Sequence, residues 1–369
     1  MNILVTGANG FIGRNLCIFL KEAGFVNVEK ITLDDNEDSV VKKVKSADFI
    51  YHLAGINRPP NDDEFKKGNT DLTKNIVNTL IESGRKTPIL LTSSIQAELD
   101  NPYGVSKAGA EEAVAAYQQQ TGAATHIYRL PNVFGKWCLP NYNSAVATFC
   151  YNTINDLPII IHNPDAVLNL VYIDDVCKSF VEILTNAPQS TDMYSIVEPI
   201  YESTVGEVVS LLTEFKDSRE SLISAKAGEG FVRALYSTYV SYLAPSQFDY
   251  SVTRHSDERG TFVEMLKTKE SGQFSFFTAH PGITRGGHYH HTKTEKFLVI
   301  NGKALYKFRH IVTGESYELT VDGEESRIVE TAPGWTHDIT NIGDSELVVM
   351  LWANEIFDRA APDTITCPL

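Results

Sequence analysis

The chain has 369 residues, 43% of them apolar and 21% charged, and a formal net charge of −15. That length exceeds what one core usually supports, so a soluble globular protein of two domains is expected. The acidic balance excludes non-specific binding to nucleic acid or an anionic membrane, although a helix N-terminus can still hold a phosphate locally. Cys17, Cys138, Cys150, Cys177 and Cys367 are odd in number and scattered, without metal-type spacing. They suit reduced thiols in a cytoplasm. The opening MNILVTG reads as a strand entering a turn and leaves no room for a cleavable signal peptide. No apolar run is long enough to span a membrane.

Asn2 to Thr6 is a β-branched apolar run, followed by Gly7, Gly10 and Gly13 and then an amphipathic helical stretch through Leu20. Strand, glycine turn and helix in that order permit close backbone approach to a pyrophosphate. Lys30 to Leu33 reads as the second strand and ends at Asp34, whose carboxylate by position suits the ribose 2′-hydroxyl of NAD. Strand Phe49 to Leu53 runs into Ala54 and Gly55, a long helix is expected from Glu64 to Ser83, and strand Ile89 to Thr92 closes on Ser93 and Ser94. Tyr103 and Lys107 follow one helical turn apart, a phenol beside an ammonium that can favour the phenolate. Such a phenol can protonate a carbonyl oxygen while hydride reaches the carbon. The helix stops at Gly122 and strand His126 to Arg129 comes next. Strands alternating with helices at this pitch predict a doubly wound parallel sheet, with ligand at the carboxyl ends of its strands.

These residues resemble the extended short-chain dehydrogenase/reductase family. Gly7, Gly10 and Gly13, with Asn9, Phe11 and Ile12 between them, are similar to its cofactor turn; Leu53, Ala54 and Gly55 are similar to its strand-end motif. Asn69 resembles the helix asparagine that shapes the active site. Asn132, in RLPNVFG, is similar to a sugar-nucleotide contact, and VYIDDV ending near Asp175 resembles a further signature of nucleotide-sugar members. The resemblance implies that Ser94 binds the substrate carbonyl, Tyr103 donates the proton, and Lys107 tunes it and holds the nicotinamide ribose. Only eight residues separate Ser94 from Tyr103, fewer than is usual in that family.

Beyond these, the segment 230–242 reads as an amphipathic interface helix, with contact of Arg233 to a diphosphate as the sharper alternative. A proline and small-residue cluster at 243–248 places the expected boundary between domains 1–246 and 247–369. After it the texture turns to short β-rich runs punctuated by glycines, which predicts a jelly-roll barrel or sandwich. There Gly282, His288, His290, Glu295 and Gly302 fit the first cupin motif at every spacing, and Gly334, His337 and Asn341 the second. His288 and His290 point to one side of a strand, Glu295 is expected on the same hairpin, and His337 on a facing strand. Three imidazoles and a carboxylate suit zinc or another borderline divalent ion. One histidine could instead be a base, and His291 reads as a neighbour without a role.

The segment DERGTF resembles the entry motif of the sugar-nucleotide epimerase branch of cupins, which implies that Arg259 faces the nucleotide-sugar. An extended reductase joined to such a cupin resembles bifunctional enzymes of capsular-polysaccharide synthesis. That resemblance implies a UDP-2-acetamido-2,6-dideoxy-4-hexulose epimerised at C3 and then reduced at C4. It implies the product UDP-2-acetamido-2,6-dideoxy-L-talose on the route to UDP-N-acetyl-L-fucosamine, with NADPH and one zinc per chain. NADPH conflicts with the position of Asp34. A homodimer is expected, because barrel edges are commonly covered by a second copy. Two alternatives stay open: a reductase whose cupin is only a metal-stabilised dimerisation module, and a non-catalytic NADP or sugar sensor.

Overall fold

The computed structural model describes residues 1–185, 193–257, 260–263, 266–268, 272–355 and 360–369. Strands β1 (Ile3–Thr6), β2 (Val28–Ile31), β3 (Phe49–His52), β4 (Ile89–Ser94) and β5 (Thr125–Leu130) alternate with helices. The short strands β6 (Asn132–Phe134), β7 (Val167–Tyr172) and β8 (Tyr194–Ser195) follow. The main sheet has the order β2-β1-β3-β4-β5-β8 with every pairing parallel. Strands β1, β3 and β4 are buried at every residue, as a sheet covered on both faces requires. Leu4, Ile50, Leu91 and Ile127 pack with Val77, Leu80, Val114 and Tyr117 from the helices. The order reverses between β1 and β3, which is where such sheets open a crevice at their carboxyl ends.

Two expectations shift here. The second strand ends at Ile31 rather than Leu33. The expected single helix from Glu64 is instead a turn at Asp63–Phe65, a π-helical stretch Lys66–Asp71 and an α-helix Leu72–Glu82. A π-turn widens the helix by one residue and often marks a functional position; this one carries Asn69.

The chain divides by packing into one unit of Met1–Phe134, Asn141–Ser144 and Leu168–Glu202, and another of Gly135–Pro140, Ala145–Val167 and Ser203–Leu369. Residues 203–246, assigned by sequence texture to the first domain, therefore pack with the C-terminal strands. A buried ionic cluster within the second unit joins them. Glu330 accepts from Arg219 at 2.7 Å and from the Tyr236 hydroxyl at 2.9 Å, both on helices before residue 246, and Lys296 lies 3.7 Å away.

The C-terminal strands form two five-stranded sheets, antiparallel throughout. One contains Glu295–Asn301 between Arg327–Glu330 and Leu347–Ala353; the other contains Trp335–Asn341 between Lys303–His310 and Thr284–Tyr289. Leu298, Ile328 and Trp352 form a buried cluster of the first sheet. Among the described residues no helix is long and apolar enough to cross a membrane.

Candidate active site and metal centre

Gly7 adopts φ +65°, and a Cβ there would lie 2.8 Å from the backbone nitrogen of Ala54. A Cβ on Gly13 would come within 2.3 Å of the Gly7 oxygen. These glycines bring the end of β1, the end of β3 and the following helix (Phe11–Glu22) into backbone contact at the crevice. That helix is capped by Gly10 with no side-chain hydrogen bond, so its first N–H groups remain available for an anion. The cradle fits a dinucleotide pyrophosphate. A buried relay holds it rigid: the Ala54 N–H donates to Thr6 Oγ1 at 3.1 Å, and Thr6 and Thr73 lie 2.8 Å from the two nitrogens of His52. The Thr73 hydroxyl spends its proton on the Asn69 carbonyl. His52 therefore donates from Nε2 and accepts at Nδ1, and burial pushes its pKa down to about 3. Asp34 is exposed, whereas Asp35 is tied by Lys43, Ser39 and the Thr32 N–H, which hold it down to about 2.

Ser94 ends β4 and its hydroxyl caps a 3₁₀ turn by accepting from the Gln96 N–H at 3.2 Å. The helix Pro102–Thr121 starts on Asn101, whose side chain accepts from the Gly104 N–H at 2.8 Å, with Pro102 in its first turn. The short connection closes because residue 104 lacks a Cβ: one there would stand 2.3 Å from the Gln96 oxygen and 2.5 Å from the Leu99 oxygen. This brings the phenol of Tyr103 to Ser94. Burial raises the Tyr103 pKa, and the hydrogen bond from Ser94 opposes the rise. Lys107 Nζ lies 5.9 Å from the Tyr103 ring centre and donates to the Thr92 carbonyl at 3.1 Å. Burial lowers Lys107 to about 8, with Glu111 pulling the other way. Asn69 is pinned from both sides, exchanging hydrogen bonds with the Ile56 backbone and donating to Ser106 Oγ at 2.9 Å. Ser94, Tyr103, Lys107 and Asn69 thus gather at one sheet edge.

Glu111 adjoins this set and raises the pKa of Lys107, and the sequence reading did not single it out. It is buried one turn beyond Lys107, accepts from Ser93 at 2.5 Å, and receives Arg129 through both Nε and Nη2. Its position four after Lys107 was the available signal. Asn132 is exposed on β6. Arg233 forms an ion pair with Glu355 at 2.7 Å and donates to Thr292, so it is engaged within the C-terminal unit. Arg259 lies outside the described residues.

In the C-terminal unit His288, His290, Glu295 and His337 bring one ligand atom each to within 4.8 Å of one another. The route differs from expectation. His337 is the register partner of His288 on the neighbouring strand of the same sheet. Glu295 opens a strand of the other sheet, so it is the facing ligand and not a hairpin neighbour. The connection after Tyr289 crosses between sheets instead of turning back. Glu295 Oε2 lies 3.2 Å from His290 Nε2 and 3.3 Å from His337 Nε2, and the latter nitrogen is buried without a hydrogen-bond partner. Burial pushes Glu295 up, but His290 and His337 more than offset it and hold it well below the usual carboxylate range. Burial and the neighbouring imidazoles push His288 down to about 4, and burial lowers His337 as well. Three imidazoles, a carboxylate and an orphaned buried nitrogen fit a divalent cation.

Residues 3–196 match the model of the NAD dependent epimerase/dehydratase family, and residues 255–365 that of the polysaccharide biosynthesis C-terminal domain. The chain belongs to the NAD dependent epimerase/dehydratase family. It is 56% identical over 367 residues to the UDP-2-acetamido-2,6-beta-L-arabino-hexul-4-ose reductase of Pseudomonas aeruginosa, covering 100% of this chain and 98% of that one. The crystal structure of the capsular polysaccharide assembling protein CapF from Staphylococcus aureus is 39% identical with a TM-score of 0.69, each chain covered in full. This member of the family is therefore of the CapF type. The UDP-glucose 4-epimerase of Thermotoga maritima, 21% identical with a TM-score of 0.52 over 58% of this chain and 82% of that one, shares the fold.

Proposed function

We propose that the chain is a bifunctional nucleotide-sugar enzyme acting on a UDP-2-acetamido-2,6-dideoxy-4-hexulose. The two antiparallel sheets are read as a cupin jelly roll that epimerises C3, and the parallel-sheet unit as the NADPH-dependent reductase of C4. The observation that carries this is the presence on one chain of a proton-donor set, Ser94, Tyr103, Lys107 and Asn69, and a four-donor metal cluster. The full-length identity to a named ketosugar reductase supports it.

The C4 carbonyl acidifies the C3 hydrogen. A base in the cupin takes that proton, the electron pair is held at the C4 oxygen, and a proton returns on the opposite face. Zinc held by His288, His290, Glu295 and His337 would supply Lewis-acid stabilisation of the developing negative charge. In the reductase, Ser94 orients the C4 carbonyl and Tyr103 gives its proton to the oxygen as the carbon is reduced. Lys107 restores the charge balance of the phenol. The nicotinamide of NADPH would supply the hydride. Reduction removes the acidifying ketone, so epimerisation comes first and the product is UDP-2-acetamido-2,6-dideoxy-L-talose, on the route to UDP-N-acetyl-L-fucosamine for capsule. Asn132 and Arg259 are assigned to the substrate. Arg233 is assigned a positioning role through Glu355 and Thr292. We assign the enzyme to the cytoplasm as a homodimer covering the barrel edge at Gln273–Ala279, where Phe274 and Phe276 are exposed.

The test is incubation of the ketosugar with the chain in deuterated water, first without and then with NADPH. Deuterium is expected at C3 before any reduction, and a Tyr103→Phe variant should retain that exchange while reduction falls ~10²–10⁴-fold. No exchange would leave the barrel a structural module. Undiminished reduction by the Phe variant would overturn the assignment of Tyr103, and a large preference for NADH would overturn the choice of NADPH.

A further inference from the structure

The connection 290–294 begins with His290 and runs into Glu295, and what shapes it is a residue from the far end of the chain. Asp363 accepts from three successive backbone N–H groups: His291 at 2.8 Å to Oδ1, and Thr292 and Lys293 at 2.7 Å each to Oδ2. The Thr292 hydroxyl adds a fourth bond at 2.9 Å. Successive amides converging on one carboxylate fix the local backbone. The same residue's carbonyl accepts the Nδ1–H of His290, which turns Nε2 of that ring toward Glu295. Lys293, whose amide is gripped by Asp363, reaches Glu295 Oε1 at 2.8 Å. That bond occupies one carboxylate oxygen and leaves Oε2 facing the imidazoles. The tail is anchored in turn, since Ile365 and Thr366 pair with Tyr289 and His288.

We infer that Asp363 is a positioning residue of the metal centre, which orients His290 through its carbonyl and Glu295 through Lys293 and so makes the C-terminal tail part of the site. This rests on the reading of the four-residue cluster as a zinc site. A ligand's outer hydrogen-bond partner typically affects metal affinity 10–100-fold when lost. In an Asp363→Asn variant the amide NH₂ opposes at least one backbone N–H, so zinc affinity measured against a competing chelator should fall ~10–100-fold. The visible spectrum of the cobalt-substituted protein should change with it. NADPH binding at the glycine turn is expected to stay at the parent value.

The parent chain gives a second measurement that needs no variant. Once zinc is stripped, the 289–296 segment should still exchange its amide hydrogens slowly, because Asp363 holds it independently of the ion. Parent-like zinc affinity and cobalt spectrum in the Asn variant overturn the inference, as does fast exchange in the zinc-free parent. A parent chain that binds no zinc at all overturns instead the metal reading beneath it.

Discussion

Gly104 is the least conspicuous residue between Tyr103 and Lys107, and its replacement tests how the site is assembled. Its backbone is not left-handed, so alanine brings no dihedral strain; the difficulty is space. A Cβ would sit 2.3 Å from the Gln96 oxygen and 2.5 Å from the Leu99 oxygen, against a floor of about 3.0 Å for real contacts. The turn must therefore retreat by at least 0.7 Å at Gln96 and 0.5 Å at Leu99. Both atoms are backbone in the eight-residue connection from Ser94, and neither can rotate away. The Gln96 N–H is bonded to the Ser94 hydroxyl, so the displacement carries directly into the partner of Tyr103. Overpacking of this kind costs ~1–3 kcal/mol, and misplacing a reacting group by ~1 Å costs ~10²-fold in rate. For Gly104→Ala we expect kcat for ketosugar reduction, followed by absorbance of the reduced nicotinamide, to fall ~10²-fold. The NADPH dissociation constant should remain near that of the parent, because the glycine turn is untouched. A folded variant with parent kcat would refute the claim that the short connection sets the distance between Ser94 and Tyr103.

Glu111→Gln removes the charge that raises the Lys107 pKa against burial. In the proposed mechanism protonated Lys107 is the active form, so the alkaline limb of kcat/KM should move to lower pH, and an unmoved limb would separate Glu111 from the reaction. Glu330→Ala leaves Lys296 and Arg219 facing each other without their shared carboxylate, which should cost ~3–5 kcal/mol in chemical denaturation of the C-terminal unit. Burial raises Glu330, but Lys296 and Arg219 overcome it and the net shift is downward. Its contribution to stability is therefore full above the unfolded carboxyl pKa and is lost as the pH falls through the folded one. A variant as stable as the parent would mean that helices 205–221 and 230–240 dock without that cluster.

The residues most legible in the sequence are those whose requirement is local. Gly7 and Gly13 are dictated by backbone approach over a few residues, and Tyr103 and Lys107 by one turn of helix, so spacing alone places them. Gly104 lies among them and was silent, because its constraint comes from how residues 96–99 fold back, which no periodicity encodes. Asn69 was legible as a motif, but the π-turn presenting it was not, since Lys66–Asp71 looks like ordinary helix. The same limit explains Arg233, whose partner Glu355 is over a hundred positions away.

The metal cluster shows where spacing stops being informative. The intervals among His288, His290 and Glu295 pick out side chains that the fold brings together, yet the four residues between His290 and Glu295 are as compatible with a tight hairpin as with a crossing to the opposite sheet. Pairing of Thr284–Tyr289 with Trp335–Asn341, and of Glu295–Asn301 with Leu347–Ala353, decides for the crossing. The consequence is physical. A carboxylate from one sheet meets imidazoles supported by the other, so the distance at which they meet is set by sheet packing and by the connection between them. That connection has no regular structure of its own, and the bonds that would otherwise come from a neighbouring strand come from Asp363. A single aspartate in a short tail carries no sequence signal; it becomes visible only when three amides are found pointing at it.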